Sequence, residues 1–149
     1  MSPQIYFLNG PNANLYGLDK NGTYGSDSFA SIGERCRQRA ESHGMTLQFR
    51  QSNHEGVLVD WIQEARQSAA GLIINAAGLT YSSVPILDAL LMFDGPIIEA
   101  HMSNIWKREP FRHHSMVSKA ATGVIAGLGA LGYELAIDAV VNLLGVRAV

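Results

Sequence analysis

Ile5-Tyr6-Phe7-Leu8-Asn9-Gly10-Pro11-Asn12 is the stretch that decides the fold. Four apolar residues follow one another without the alternation of a half-exposed strand, and a polar segment containing Gly and Pro breaks them off at once. A strand covered on both faces reads this way, and such strands belong to parallel sheets crossed by helices. Short apolar runs recur at Leu47-Gln48-Phe49, Leu72-Ile73-Ile74, Ile97-Ile98 and Val124-Ile125. Between them, Phe29, Ile32, Cys36 and Ala40 fall at helical spacing, with Gly44 placed to end that helix. A second helix carries Leu58, Trp61, Ile62 and Ala65 on one face, with Asn53 as N-cap. A third starts at Ser82 or Ser83, tolerates Pro85 in its first turn and stops at Gly95. The last runs from about Gly132, with Tyr133, Ile137, Val140, Val141 and Leu144 at core spacing. The pattern predicts one α/β domain over residues 1–149, a flavodoxin-like open sheet of five parallel strands with helices on both faces. Strand order is left open by the pattern.

Composition bounds the function. The 149 residues make one ordinary domain. Eleven Lys and Arg against thirteen Asp and Glu give a net charge of −2, which supplies no footprint for nucleic acid or an anionic membrane. Charged residues make up 16%, below the roughly 25% usual for soluble domains, and point to surface covered by other subunits. Cys36 stands alone, so a reducing cytoplasm is the expected location. The opening residues read as no secretory leader. The longest uncharged stretch, Gln67 to Leu87, holds Ser68, Asn75, Ser82, Ser83 and Pro85, and reads as a core strand and its exit loop, not a membrane span.

An open parallel sheet binds its ligand outside the carboxyl ends of its strands, where this chain keeps its polar residues. Strand one runs into Asn9 to Asn14, strand three ends at Asn75, and strand four runs Ile97-Ile98-Glu99-Ala100-His101-Met102-Ser103-Asn104. One pocket lined by all three is predicted. Arg108, Arg112, His113 and His114 follow closely and suit an anion, with enzyme and binding module equally open from these residues alone. The segment from Asn9 to Asp27 is polar and Gly-rich, a length usual for a functional loop, and a mobile lid is expected at about residues 16–26. Gly10, Gly17, Gly22 and Gly25 give it freedom, and Tyr24 is its acid–base group, against the plainer reading of a tyrosine that packs the loop down.

Other signals carry less. Gly127-Leu128-Gly129-Ala130-Leu131-Gly132 matches the dinucleotide fingerprint, but only 17 residues follow, so tight strand-to-helix packing accounts for it better. His54-Glu55 lacks a second His four positions on, and neighbouring His113 and His114 point apart, so no metal is expected. Cys36 reads as a small core residue.

Six stretches in register over nearly the whole chain carry a resemblance: Leu8-Asn9-Gly10-Pro11-Asn12, Tyr24-Gly25, Asn53-His54-Glu55-Gly56, Ile74-Asn75, Glu99 to Asn104 and Arg108 to Ser115. Together they resemble the type II 3-dehydroquinate dehydratases. The resemblance implies a cofactor-free anti elimination of water from 3-dehydroquinate, a small carboxylate, giving 3-dehydroshikimate. It implies Tyr24 as phenolate base, an enolate held through a water on Asn12, His101 as acid and Glu99 orienting it. The substrate carboxylate is then expected on the amides around Met102 and Ser103, and ring hydroxyls on Asn75, Arg112 and position 81. Asp88 is expected to reach a neighbouring subunit's pocket in a dodecamer of four trimers. Biosynthetic and catabolic roles in shikimate and quinate metabolism both stay open.

A phenol of pKa about 10 ionises near neutrality only if roughly 3 units, about 4 kcal/mol, come from elsewhere. Positive charge or donors have to supply them, because desolvation works against a phenolate. The chain departs from the family pattern here. Asp19 stands where the lid carries arginine, with Lys20 beside it as a substitute of different geometry, and Arg108 as a further cation near Tyr24. Tyr81 stands where the family has a substrate-touching histidine. Three readings follow: a dehydratase with a compensated lid, a paralogue using the same chemistry on a related hydroxylated cyclic keto acid, and a non-catalytic member binding a cyclitol carboxylate.

Overall fold

The computed structural model describes residues 2–18 and 22–145. The five apolar runs form β1 (Gln4–Asn9), β2 (Thr46–Gln51), β3 (Gly71–Asn75), β4 (Ile97–His101) and β5 (Gly123–Ala126). All neighbours pair in parallel, in the order β2-β1-β3-β4-β5. This is the flavodoxin-like arrangement, with its reversal of direction between β1 and β3. The helices are α1 (Phe29–Ser42), α2 (Glu55–Ser68), α3 (Val84–Leu91) and α4 (Gly129–Leu143).

Side chains alternate across the sheet and divide the core in two. Ile5, Phe7, Ile73 and Ile98 meet Ile32, Cys36, Tyr133 and Ile137 of α1 and α4. Tyr6, Leu8, Leu72 and Ile74 meet Leu58, Ile62, Ile86 and Leu90 of α2 and α3 on the other face. Each Leu, Ile or Phe fully buried here stabilises the fold by about 1.5–3 kcal/mol. Cys36 is wholly buried, and burial pushes its thiol up to about 12. Its role is therefore packing, as its helical spacing predicts.

Several boundaries differ from the sequence expectation, each for a physical reason. Asn53 does not cap α2; His54 holds that position, and the Asn53 amide is committed elsewhere. Ser83 caps α3, its Oγ accepting from the Ile86 amide at 3.0 Å. That helix ends at Leu91, short of Gly95, and Met92 closes it. The last helix begins at Gly129, about one turn before Gly132, because Gly127 and Gly129 take positive φ and turn the chain early. A Cβ on Gly127 would lie 3.0 Å from Asn104 Cβ, which fits the packing account of the glycine run. Gly10 is no hinge: a Cβ there would sit 2.5 Å from Ala76 O, and its amide donates to Asn75 O at 2.8 Å. It lets the ends of β1 and β3 approach.

Among the described residues, no helix is long and apolar enough to cross a membrane. Nor does any group of three His, Cys, Asp or Glu side chains gather to hold a metal.

Candidate active site

The ends of β1, β3 and β4 enclose a pocket of about 160 Å³. Asn12, Tyr24, Asn75, Tyr81, His101, Met102, Ser103, Arg108 and Arg112 all line it. The sequence thus brought nine of its candidates to one place. Two arginines and a histidine, with no acid among the described lining residues, make the space suited to an anion.

His101 ends β4 and is 4% exposed, while Glu99, two residues earlier on the same side of the strand, is 1% exposed. Their side chains meet at 2.5 Å, His101 Nε2 against Glu99 Oε2. Ser115 Oγ donates to Glu99 at 2.9 Å, and Ser118 Oγ donates to its other oxygen. Burial alone raises a carboxyl, but His101 and these serines outweigh it and hold Glu99 below the usual glutamate range. The site therefore contains a buried, fully partnered carboxylate that fixes one imidazole.

Tyr24, which also lines the pocket, is half-buried. Arg108 Nη1 donates to its hydroxyl at 3.1 Å and to Ser103 Oγ at 3.2 Å. The guanidinium carbon also lies 5.6 Å from the Tyr24 ring centre. Arg108 thus aims positive charge at the oxygen where a phenolate would form, as the sequence required of some cation. Lys20 and Asp19 lie outside the described residues.

Asn12 has φ +72°, a left-handed turn that carries the chain out of β1. Its amide donates to Asn53 Oδ1 at 3.0 Å, which explains why Asn53 is unavailable as a cap. Tyr81 lies nearly parallel to the His101 ring, 6.4 Å away at 17°. The Arg112 guanidinium sits 5.5 Å from the Tyr81 ring centre, while its Nε donates to Glu109 at 2.5 Å. Burial raises the Tyr81 phenol, with Arg112 pulling the other way.

Asn75 is held differently from expectation. Asn75 donates both amide hydrogens inside the protein, to Tyr16 Oη at 2.8 Å and Tyr133 Oη at 2.7 Å, so neither remains for a ligand hydroxyl. Its Oδ1 accepts from the Ala77 amide. Asp88, expected to serve a neighbouring copy, is exposed on α3 away from this chain's own pocket. The expected lid also shortens at its start, since Tyr16 is 5% exposed and belongs to the core.

Sequence reasoning missed Tyr16, Ser118 and the hydroxyl of Tyr133 as parts of the site. A signal existed for Tyr133: a tyrosine at core spacing needs a buried partner for its hydroxyl. The strand-end asparagines were the nearest supply.

The chain matches known proteins over nearly all of its length. The model of the family described as dehydroquinase class II matches residues 3–141. The chain belongs to that family. The 3-dehydroquinate dehydratase of Cereibacter sphaeroides is 51% identical over 143 residues, covering 96% of this chain and 97% of the relative. The 3-dehydroquinate dehydratase 2 of Pseudomonas putida is 48% identical, with 99% of each chain covered. The crystal structure of type II dehydroquinase from Propionibacterium acnes superposes with a TM-score of 0.90 at 39% identity, covering 95% of this chain and 98% of that one. The matched residues include all those that line the pocket.

Proposed function

We propose that the chain removes water from 3-dehydroquinate to give 3-dehydroshikimate, with Tyr24 as base and His101 as acid. The carrying observation is that both side chains line one pocket, each already held by a charged partner. Arg108 donates to Tyr24 Oη, and Glu99 anchors His101 Nε2. Family membership and relatives of about half identity that bear the dehydratase name support the substrate.

The Tyr24 phenolate takes the proton α to the ketone, and the pair left on carbon moves into the carbonyl as an enolate. A water on Asn12 hydrogen-bonds that oxygen. The carbonyl then re-forms, the carbon–oxygen bond at the β position breaks, and His101 gives its proton to the departing hydroxyl. Glu99 balances the charge the imidazole carries while both nitrogens hold protons. Products are water and a conjugated enone, so no electron acceptor or donor is consumed. The carboxylate of the substrate sits at Met102 and Ser103, and Arg112 with Tyr81 meets the ring hydroxyls. Asn75 serves this wall as scaffold.

The working form is an oligomer of four trimers in the cytoplasm, in which Asp88 of one copy completes the pocket of the next. Its exposure on α3, beside exposed Val84, Leu91 and Met92, supports this assembly. Tyr81 favours a second reading, in which a related hydroxylated cyclic keto acid is the better substrate. Incubation of purified protein with 3-dehydroquinate and a small panel of such acids separates the two. Rising ultraviolet absorbance from the enone is expected with 3-dehydroquinate. Faster turnover of another panel member transfers the assignment, and binding without any turnover leaves a non-catalytic protein.

A further inference from the structure

The pocket holds a tyrosine that this mechanism leaves idle. Tyr16 follows the short 3₁₀ turn Ala13–Leu15 and is almost wholly buried. Its hydroxyl accepts from Asn75 Nδ2 at 2.8 Å. The other hydrogen of that amide goes to Tyr133 Oη at 2.7 Å, and Tyr133 donates in turn to Asn9 Oδ1 at 2.9 Å. Asn9 then donates to Arg50 O at 3.1 Å. One hydrogen-bonded series thus joins β2, β1, α4 and β3 to a single ring. That ring faces Tyr24, with centres 5.1 Å apart and planes 33° apart, and is backed by Phe29 at 6.3 Å.

We infer that Tyr16 is a positioning residue: its aromatic ring, backed by Phe29, is the platform on which Tyr24 is held beneath Arg108. The inference rests on Tyr24 being the base. Two tyrosines line one pocket, and their surroundings separate their roles. Burial pushes Tyr16 up to about 12, against the opposing pull of its Tyr133 and Asn75 partners, so it stays a neutral phenol while the reaction runs. An aromatic contact of this kind stabilises the pair beyond the area it buries. Because it forms only when Tyr24 is docked, it biases the loop toward the reactive placement.

Steady-state turnover of 3-dehydroquinate by Tyr16→Phe, Tyr16→Leu and Tyr16→Met tests this, with Tyr24→Phe alongside. Nitration of Tyr24 by tetranitromethane, followed by peptide mass spectrometry, reports its placement without turnover. Tyr16→Phe keeps the ring and is expected within threefold of the parent in kcat. Tyr16→Leu is expected to lose tenfold or more in kcat with KM changed under threefold, and to nitrate Tyr24 several times faster. Tyr16→Met, a flexible filler without an aromatic face, is expected to behave like Tyr16→Leu and replaces it if that variant does not fold. Parent-like kcat and parent-like nitration in the non-aromatic variants overturn the platform. Equal damage in Tyr16→Phe overturns it too, by showing that the hydroxyl acts in its own right. Parent-like turnover by Tyr24→Phe removes the base assignment instead, whatever the nitration rates say.

Discussion

The two walls of the pocket are built on opposite principles. On the sheet side, Glu99, His101 and Asn75 are each at most 4% exposed, and every one is tied to protein partners. On the loop side, Tyr24 is half-buried and leans on a ring contact and one guanidinium 3.1 Å away. The sheet can hold its groups rigidly because parallel strands bury their ends under helices, where an unpartnered polar group costs about 1–3 kcal/mol. A segment without helix or strand has no such enforcement, and its position is set by a few contacts of modest strength. The contrast teaches that His101 is fixed by its buried partners, whereas the placement of Tyr24 rests on a few contacts of modest strength.

Variants on the two walls can break or sharpen that contrast. Tyr24→Phe carries the largest expected effect: turnover falls by about 10³-fold or more, since general base catalysis is typically worth 10²–10⁴. Ligand binding measured calorimetrically stays within about 1 kcal/mol, because only a hydroxyl is lost. Binding that collapses together with turnover would show that the loop wall also holds the ligand in place.

On the sheet wall, Glu99→Gln is expected to lower kcat by about 10²-fold, since it removes the charge that anchors His101. Steady-state kinetics with little change in KM is the expected pattern. A variant as active as the parent would mean that the serines and the strand alone orient the imidazole.

The smallest effect is read from stability against pH. Glu99 has a folded pKa lowered from 4.5, so its contribution is fully present above that value and disappears as pH falls through the depressed one. Thermal midpoints of the parent should therefore drop in that acidic window more steeply than those of Glu99→Gln. Tyr24→Phe should follow the parent curve there. Coincident curves for parent and Glu99→Gln would show that the buried carboxylate is not stabilised as its partners imply.

Much of this was legible before any coordinates. Five apolar runs, their helical spacers and the polar residues at strand ends all follow from local periodicity, which records which side of each element is buried. Tyr24 was legible as the acid–base group of its loop, and the pairing of His101 with Glu99 as something the family resemblance implied. The sequence by itself therefore determined the elements, the end of the sheet where chemistry sits and most of the residue types gathered there. Only the tertiary structure decided the strand order, the bracing of Asn12 by Asn53, the withdrawal of Asn75 into scaffold duty and the approach of Arg108 to Tyr24. Periodicity says that a side chain is buried without saying what it meets. Asn75 and Tyr133 are 58 positions apart and Arg108 and Tyr24 are 84, distances at which only the packed fold selects a partner.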